Sequence, residues 1–141
     1  MKKLWTIILI VSTFWTANAQ LEATIDPVHP TNVAAMFSVP VGNDFYVGIW
    51  GEGYNQEKYW AAGGDIHFKF AEIGNNFKVK FINGFQVGAA TDGWFTSYYF
   101  AESMFWKDFP LGIKLYQRIS MSNYLGVYYE NRVGIVWNFM R

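Results

Sequence analysis

The chain has no cysteine, only two histidines and few charges: 16% of its 141 residues are Asp, Glu, Lys or Arg. Each shortage removes a class of protein. Without cysteine there is no disulfide scaffold, no thiolate zinc site and no cysteine nucleophile. Eleven basic residues balance eleven acidic ones, so no net field draws in nucleic acid, and none is expected as a partner. Beyond the first twenty residues no apolar run approaches eighteen, which excludes a membrane-spanning helix there.

Aromatics are what the chain has in excess. They make up 21% of the residues, and hydrophobic residues 52%, yet the mean hydropathy is only +0.04. A disordered chain is poor in aromatics and rich in charge, so this is a folded domain.

The start reads as an address. Lys2 and Lys3 precede an apolar stretch, Leu4 to Trp15, and Ala17-Asn18-Ala19 is a small-x-small cleavage pattern. The layout predicts a secretory signal peptide over 1–19. The apolar stretch is too short for an anchoring helix, which needs about twenty residues. Residues 20–32, with two prolines, read as an irregular arm. The domain proper is expected over 33–141.

From residue 33 the apolar residues alternate with polar ones at a period of two. Gly, Asn and Asp clusters at 41–44, 53–56, 73–76, 90–93, 107–110, 122–123 and 130–131 supply turn chemistry. They divide the chain into eight strands, near 33–40, 44–53, 57–71, 76–90, 93–106, 110–121, 123–129 and 132–139. Several exceed ten residues, long for a soluble sandwich and suited to tilted membrane strands. Over 57–71, Trp60, Ile66, Phe68 and Phe70 share one face, while Asp65, His67 and Lys69 share the other. The strand over 93–106 is aromatic on both faces and has no evident orientation.

Alternation fits two architectures. A membrane barrel turns its apolar face to lipid, and a soluble barrel similar to lipocalins, binding an apolar ligand, turns it inward. Aromatics near strand ends (Trp50, Trp60, Trp94, Trp106, Trp137 and Phe139) suit rings at two membrane interfaces. Phe68, Phe70, Phe77, Phe105 and Phe109 are expected at the rim opposite Trp60, Trp94 and Trp137. The expectation is therefore all-β: an eight-stranded, antiparallel, up-and-down transmembrane β-barrel with short turns, embedded in outer-membrane lipid.

The segment Arg132-Val-Gly-Ile-Val-Trp-Asn-Phe139 resembles the C-terminal signal of Gram-negative outer-membrane β-barrel proteins. Arg132, Gly134, Trp137 and Phe139 fall on the polar, glycine, hydrophobic and final aromatic positions; Met140 and Arg141 follow where many such chains stop. The resemblance implies recognition by the barrel-assembly machinery and residence in the cell outer membrane.

The lumen of an eight-stranded barrel is just wide enough for its own side chains. Glu52, Asp65, His67, Lys69, Lys78, Lys80, Lys114, Arg118, Glu130 and Arg132 are the expected interior polar network. Hairpin register is expected to bring Lys69 near Lys78, His67 near Lys80, and Glu130 opposite Arg132. Asp65 and His67 form half of an acid–base or metal site, but no third ligand stands at a recognisable spacing. Some barrels of this class modify lipid A. The His-x-Ser pattern of such a deacylase is absent, since Phe68 and Lys69 follow His67, and so is an Asp-Ser pair. No catalytic residue, metal or cofactor is expected. A structural or accessory role without an open pore remains, including a subunit docked to a protein partner within the membrane.

Overall fold

A computed structural model describes residues 19–54, 58–91, 93–123 and 126–139. The segment expected to be a signal peptide lies, apart from Ala19, outside the described residues. All regular elements are strands: β1 (Ala19–Ile25), β2 (Asn32–Pro40), β3 (Phe45–Tyr54), β4 (Tyr59–Ile73), β5 (Phe77–Ala90), β6 (Gly93–Trp106), β7 (Leu111–Ser122) and β8 (Gly126–Phe139). Each pairs antiparallel with the next, and β8 returns to β1 from Ala19↔Phe139 to Ile25↔Val133, closing a barrel.

The expected count of eight holds, but two elements differ. Residues 20–32 are not one irregular arm: 20–25 lie in β1, 26–31 connect it to β2, and Asn32 opens β2. The prolines sit in the connection, where Asp26 organises the turn. Its Oδ1 accepts the Val28 N–H at 2.8 Å and its Oδ2 lies 3.1 Å from His29 Nδ1. Burial opposes ionisation of Asp26, but the Val28 and His29 N–H groups and the imidazole outweigh it and hold its pKa below the usual value. The expected turn at 130–131 is instead the interior of β8, where Glu130 pairs with Arg118 and Asn131 with Gln117. Glu130 and Arg132 are thus neighbours on one face of one strand rather than opposite one another.

The extra first strand also reverses the ends. The connections after β2, β4 and β6 lie at the end that carries the chain termini, and those after β1, β3, β5 and β7 lie at the far end. The connections 41–44, 74–76 and 107–110 therefore lie at the terminal end, whereas a barrel starting at residue 33 would have them at the far end.

A bulge between Lys69 and Ala71 shifts the β4–β5 register. His67 faces Gly84, Lys69 faces Ile82, and Glu72 faces Lys80; Lys69 and Lys78 come together at Glu72 rather than as a cross-strand pair, and His67 is not paired with Lys80. The shift turns Glu72 inward, between Lys69 and Lys78 (3.0 and 2.9 Å).

Closure depends on Gly134. It pairs with Thr24 of β1, and a Cβ there would collide with the Ala23 carbonyl oxygen and the Thr24 methyl and approach Thr24 Cα at 3.0 Å. Gly134→Ala is expected to push β8 off β1 and lower the yield of closed barrel, read as loss of the compact band on an unheated gel. An unchanged yield would mean the seam tolerates the methyl.

Candidate functional site

The barrel is arranged with polar groups mainly inside and apolar groups mainly outside. Within each strand the residue alternation sends one set into the lumen and the other to the outer wall. The buried set is mixed: Glu22, Asp65, His67, Lys114, Arg118 and Arg132 are all under 4% exposed, and Met36, Trp50, Ile82 and Phe95 are buried beside them. The outer set is mainly apolar: Ile25, Val33, Ile49, Ile66, Val87, Ile113, Ile119, Val127 and Ile135 are 41–69% exposed and encircle the barrel. Trp60, Ile66, Phe70 and Phe77 are all on this outer face.

Two polar clusters share the lumen with buried apolar side chains. The first centres on Arg118. Its Nη2 donates to Glu52 Oε2 at 2.5 Å, its Nε to Glu130 Oε1 at 2.5 Å, and its Nη1 to Gln86 Oε1 at 3.2 Å. Ser97 donates to the same Gln86 oxygen, and Tyr54 donates to Glu130 Oε2. Arg132 lies 3.5 and 3.6 Å from Glu130 and Glu52 and donates from Nε to Thr24 Oγ1 at 3.0 Å. Two guanidinium groups thus balance two carboxylates, the condition for holding charge inside the barrel.

The second cluster spans β1, β4, β6 and β7. Lys114 Nζ donates to Glu22 Oε1 at 2.5 Å, and the Tyr116 hydroxyl donates to Glu22 Oε2. The Tyr99 hydroxyl donates to Asp65 Oδ2 at 2.9 Å, while Asp65 Oδ1 lies 2.6 Å from His67 Nδ1. Tyr46 stacks on the imidazole at 4.9 Å. Tyr99 in turn packs where Gly84 leaves room; a Cβ at Gly84 would enter its ring. His67 Nε2 and Glu52 Oε1 have no hydrogen-bond partner among the described residues. The void between the clusters is about 20 Å³, the size of one water.

Of the expected network, Glu52, Asp65, His67, Lys114, Arg118, Glu130 and Arg132 are buried within these clusters. Lys69, Lys78 and Lys80 stand at the terminal end. The first two bind Glu72, and Lys69 also reaches Asp44 at 3.2 Å. Lys80 sits 4.6 Å over the Phe105 ring. The expected network left out Glu22, Thr24, Tyr99, Tyr116 and Gln86, although Tyr116 and Gln86 fall on the polar faces of their strands. The signal for the first two was present, since Glu22 and Thr24 alternate with Leu21, Ala23 and Ile25.

The aromatic rims differ from expectation in three places. Trp50 is 4% exposed and faces the lumen, where its Nε1 donates to the Gly64 carbonyl at 2.9 Å; strand parity, with Ile49 outward, sends it in. Trp137 is at the terminal end, paired with Leu21 and Leu111, so it shares a rim with Phe77, Trp106 and Phe109 rather than with Trp60 and Trp94. Phe105 points inward, over Lys80. The Phe139 side chain is outside the described residues.

Among the described residues no three His, Asp or Glu side chains are placed to hold a metal ion. No protein-family model, curated protein or solved structure matches the chain.

Proposed function

We propose that this chain is a small outer-membrane β-barrel with a structural or accessory role, its wall in lipid and its lumen sealed by its own side chains. The observation that carries the reading is the outer apolar belt. Soluble monomers rarely expose a contiguous apolar patch beyond a few hundred Å², whereas here exposed aliphatic residues occur on every strand but β6, which instead carries exposed Tyr98. Lipid accepts such a belt without cost, and a closed barrel is the one sheet that leaves no unpaired edge in lipid. The rims support the same placement: Trp60 and Trp94 at the far end, Phe45, Phe77, Trp106 and Trp137 at the terminal end.

Both termini at one end suit a periplasmic start and finish. In this reading the motif of Arg132, Gly134, Trp137 and Phe139 serves the barrel-assembly machinery first and the folded barrel afterwards. Gly134 then lets β8 approach β1, and Arg132 ties β8 to Thr24 and Asn32. The filled lumen argues for a scaffold or complex subunit rather than a channel.

Expression in a Gram-negative cell tests the proposal. The expected result is recovery in the detergent-extracted outer membrane, with a band whose mobility changes on heating. Recovery as soluble protein in the periplasmic extract would overturn it.

A further inference from the structure

Polar side chains interrupt the outer belt, among them Asn83 of β5, whose Oδ1 accepts from the Tyr98 hydroxyl at 2.8 Å. On β6 and β7 the wall carries Glu102 and Gln117, and Asn131 of β8 lies directly beside Gln117. Glu102 pairs across the sheet with Phe81 and Leu115, and Gln117 with Phe100. All three polar residues are therefore on the outer face, in strand interiors and away from both aromatic rims. A shallow groove of about 230 Å³ runs between them. Among the described residues Glu102 and Gln117 have no hydrogen-bond or ion-pair partner, while Asn131 Oδ1 accepts from Tyr129 and its amide nitrogen stays free.

We propose that this patch is the contact surface for a second copy of the same barrel, related by a two-fold axis beside Leu115. The inference rests on the outer-membrane reading. A carboxyl and two amides facing lipid each lack the water that would otherwise solvate them, and ionisable groups at such depth need protein partners. A two-fold contact demands that one patch hold both halves of each interaction. This patch does: Glu102 supplies acceptors, and Gln117 and Asn131 supply N–H donors, set apart along the β6–β7–β8 direction. Turning one copy over the other lays each Glu102 against the partner's amides. The flanking Phe100 and Leu115 then supply apolar contact. No other stretch of the outer belt carries an unpartnered carboxyl among the described residues.

The absence of cysteine makes the test direct. Leu115→Cys places a thiol at the proposed axis while leaving Glu102, Gln117 and Asn131 intact; Ile49→Cys places one on β3, across the barrel. Both are expressed, fractionated and oxidised in native membranes. The expected result is membrane-bound protein, a disulfide-linked dimer from Leu115→Cys and none from Ile49→Cys. Adding Glu102→Ala to Leu115→Cys is expected to cut dimer yield about tenfold, since the two-fold axis removes two hydrogen-bonded contacts in the membrane at once, with heat-modifiable mobility retained. Membrane-bound protein that cross-links equally at both positions, or at neither, overturns the dimer while leaving the outer-membrane reading in place. Cross-linking of Leu115→Cys to a different protein overturns the second copy in favour of a partner subunit. Soluble protein removes the outer-membrane reading, and the dimer with it.

Discussion

Arg118→Ala is expected to cost about 3–5 kcal/mol of barrel stability, the range for breaking a buried ion pair from one side. Arg118 is 3% exposed and holds Glu52 and Glu130 at once. Truncating it leaves two buried carboxylates facing a single guanidinium, Arg132, at 3.5–3.6 Å. The penalty comes from stranded charge rather than from the bonds lost, and this makes a second variant informative. In Arg118→Met combined with Glu52→Gln and Glu130→Gln the stranded charges are gone, and most of the loss should be recovered, because neutral replacement of a buried charge group is often nearly neutral. Urea titration of barrels folded into vesicles, read from gel mobility, measures both. An unchanged midpoint for Arg118→Ala would show that the lumen is wet enough to solvate Glu52 and Glu130. A triple variant no better than Arg118→Ala would locate the loss in packing, where Arg118 lies 5.4 Å from the Phe95 ring.

The alternation in β4, β5 and β7 was plain in the sequence because each strand has one largely apolar face, interrupted at Asn83 in β5 and Gln117 in β7. Where the reading failed, local composition competed with parity. Pro27 and Pro30 drew residues 20–32 into an arm, although Leu21, Ala23 and Ile25 already alternate against Glu22 and Thr24. Glu130-Asn131 reads as a turn because both residues are polar, yet they belong to opposite faces: Glu130 is a lumen partner of Arg118, and Asn131 is part of the outer polar patch. The same patch puts Gln117 on the otherwise apolar face of β7. The features that spoiled the period are thus the ones that need a partner. In β6 both faces are aromatic for different reasons. Phe95 and Tyr99 fill the lumen, while Trp94, Tyr98 and Phe100 coat the wall, and side-chain type carries no sign of which is which. The Lys69–Ala71 bulge leaves no trace in the pattern either, so the pairing of Glu72 with two lysines emerges only from the fold.

Ile66→Arg separates a lipid-facing wall from a water-facing one. Ile66 is 56% exposed in the interior of β4, paired with Val47 and Phe85. In lipid an arginine there is expected to cost about 2–4 kcal/mol, because a charge near the bilayer midplane must be desolvated or must deform the membrane to reach water. The same change at Ile73, 58% exposed at the terminal end of β4, should cost about 0–1 kcal/mol, since a long side chain at the rim reaches the interface. The two isoleucines have nearly equal exposure, so a soluble barrel offers no reason for them to differ, and both would then fall within about 0.5 kcal/mol of the parent. The difference between the two variants, measured by the same titration in vesicles, is therefore the quantity that depends on depth. A difference near zero would show that Ile66 faces water and would remove the lipid-bound wall on which the proposed role rests.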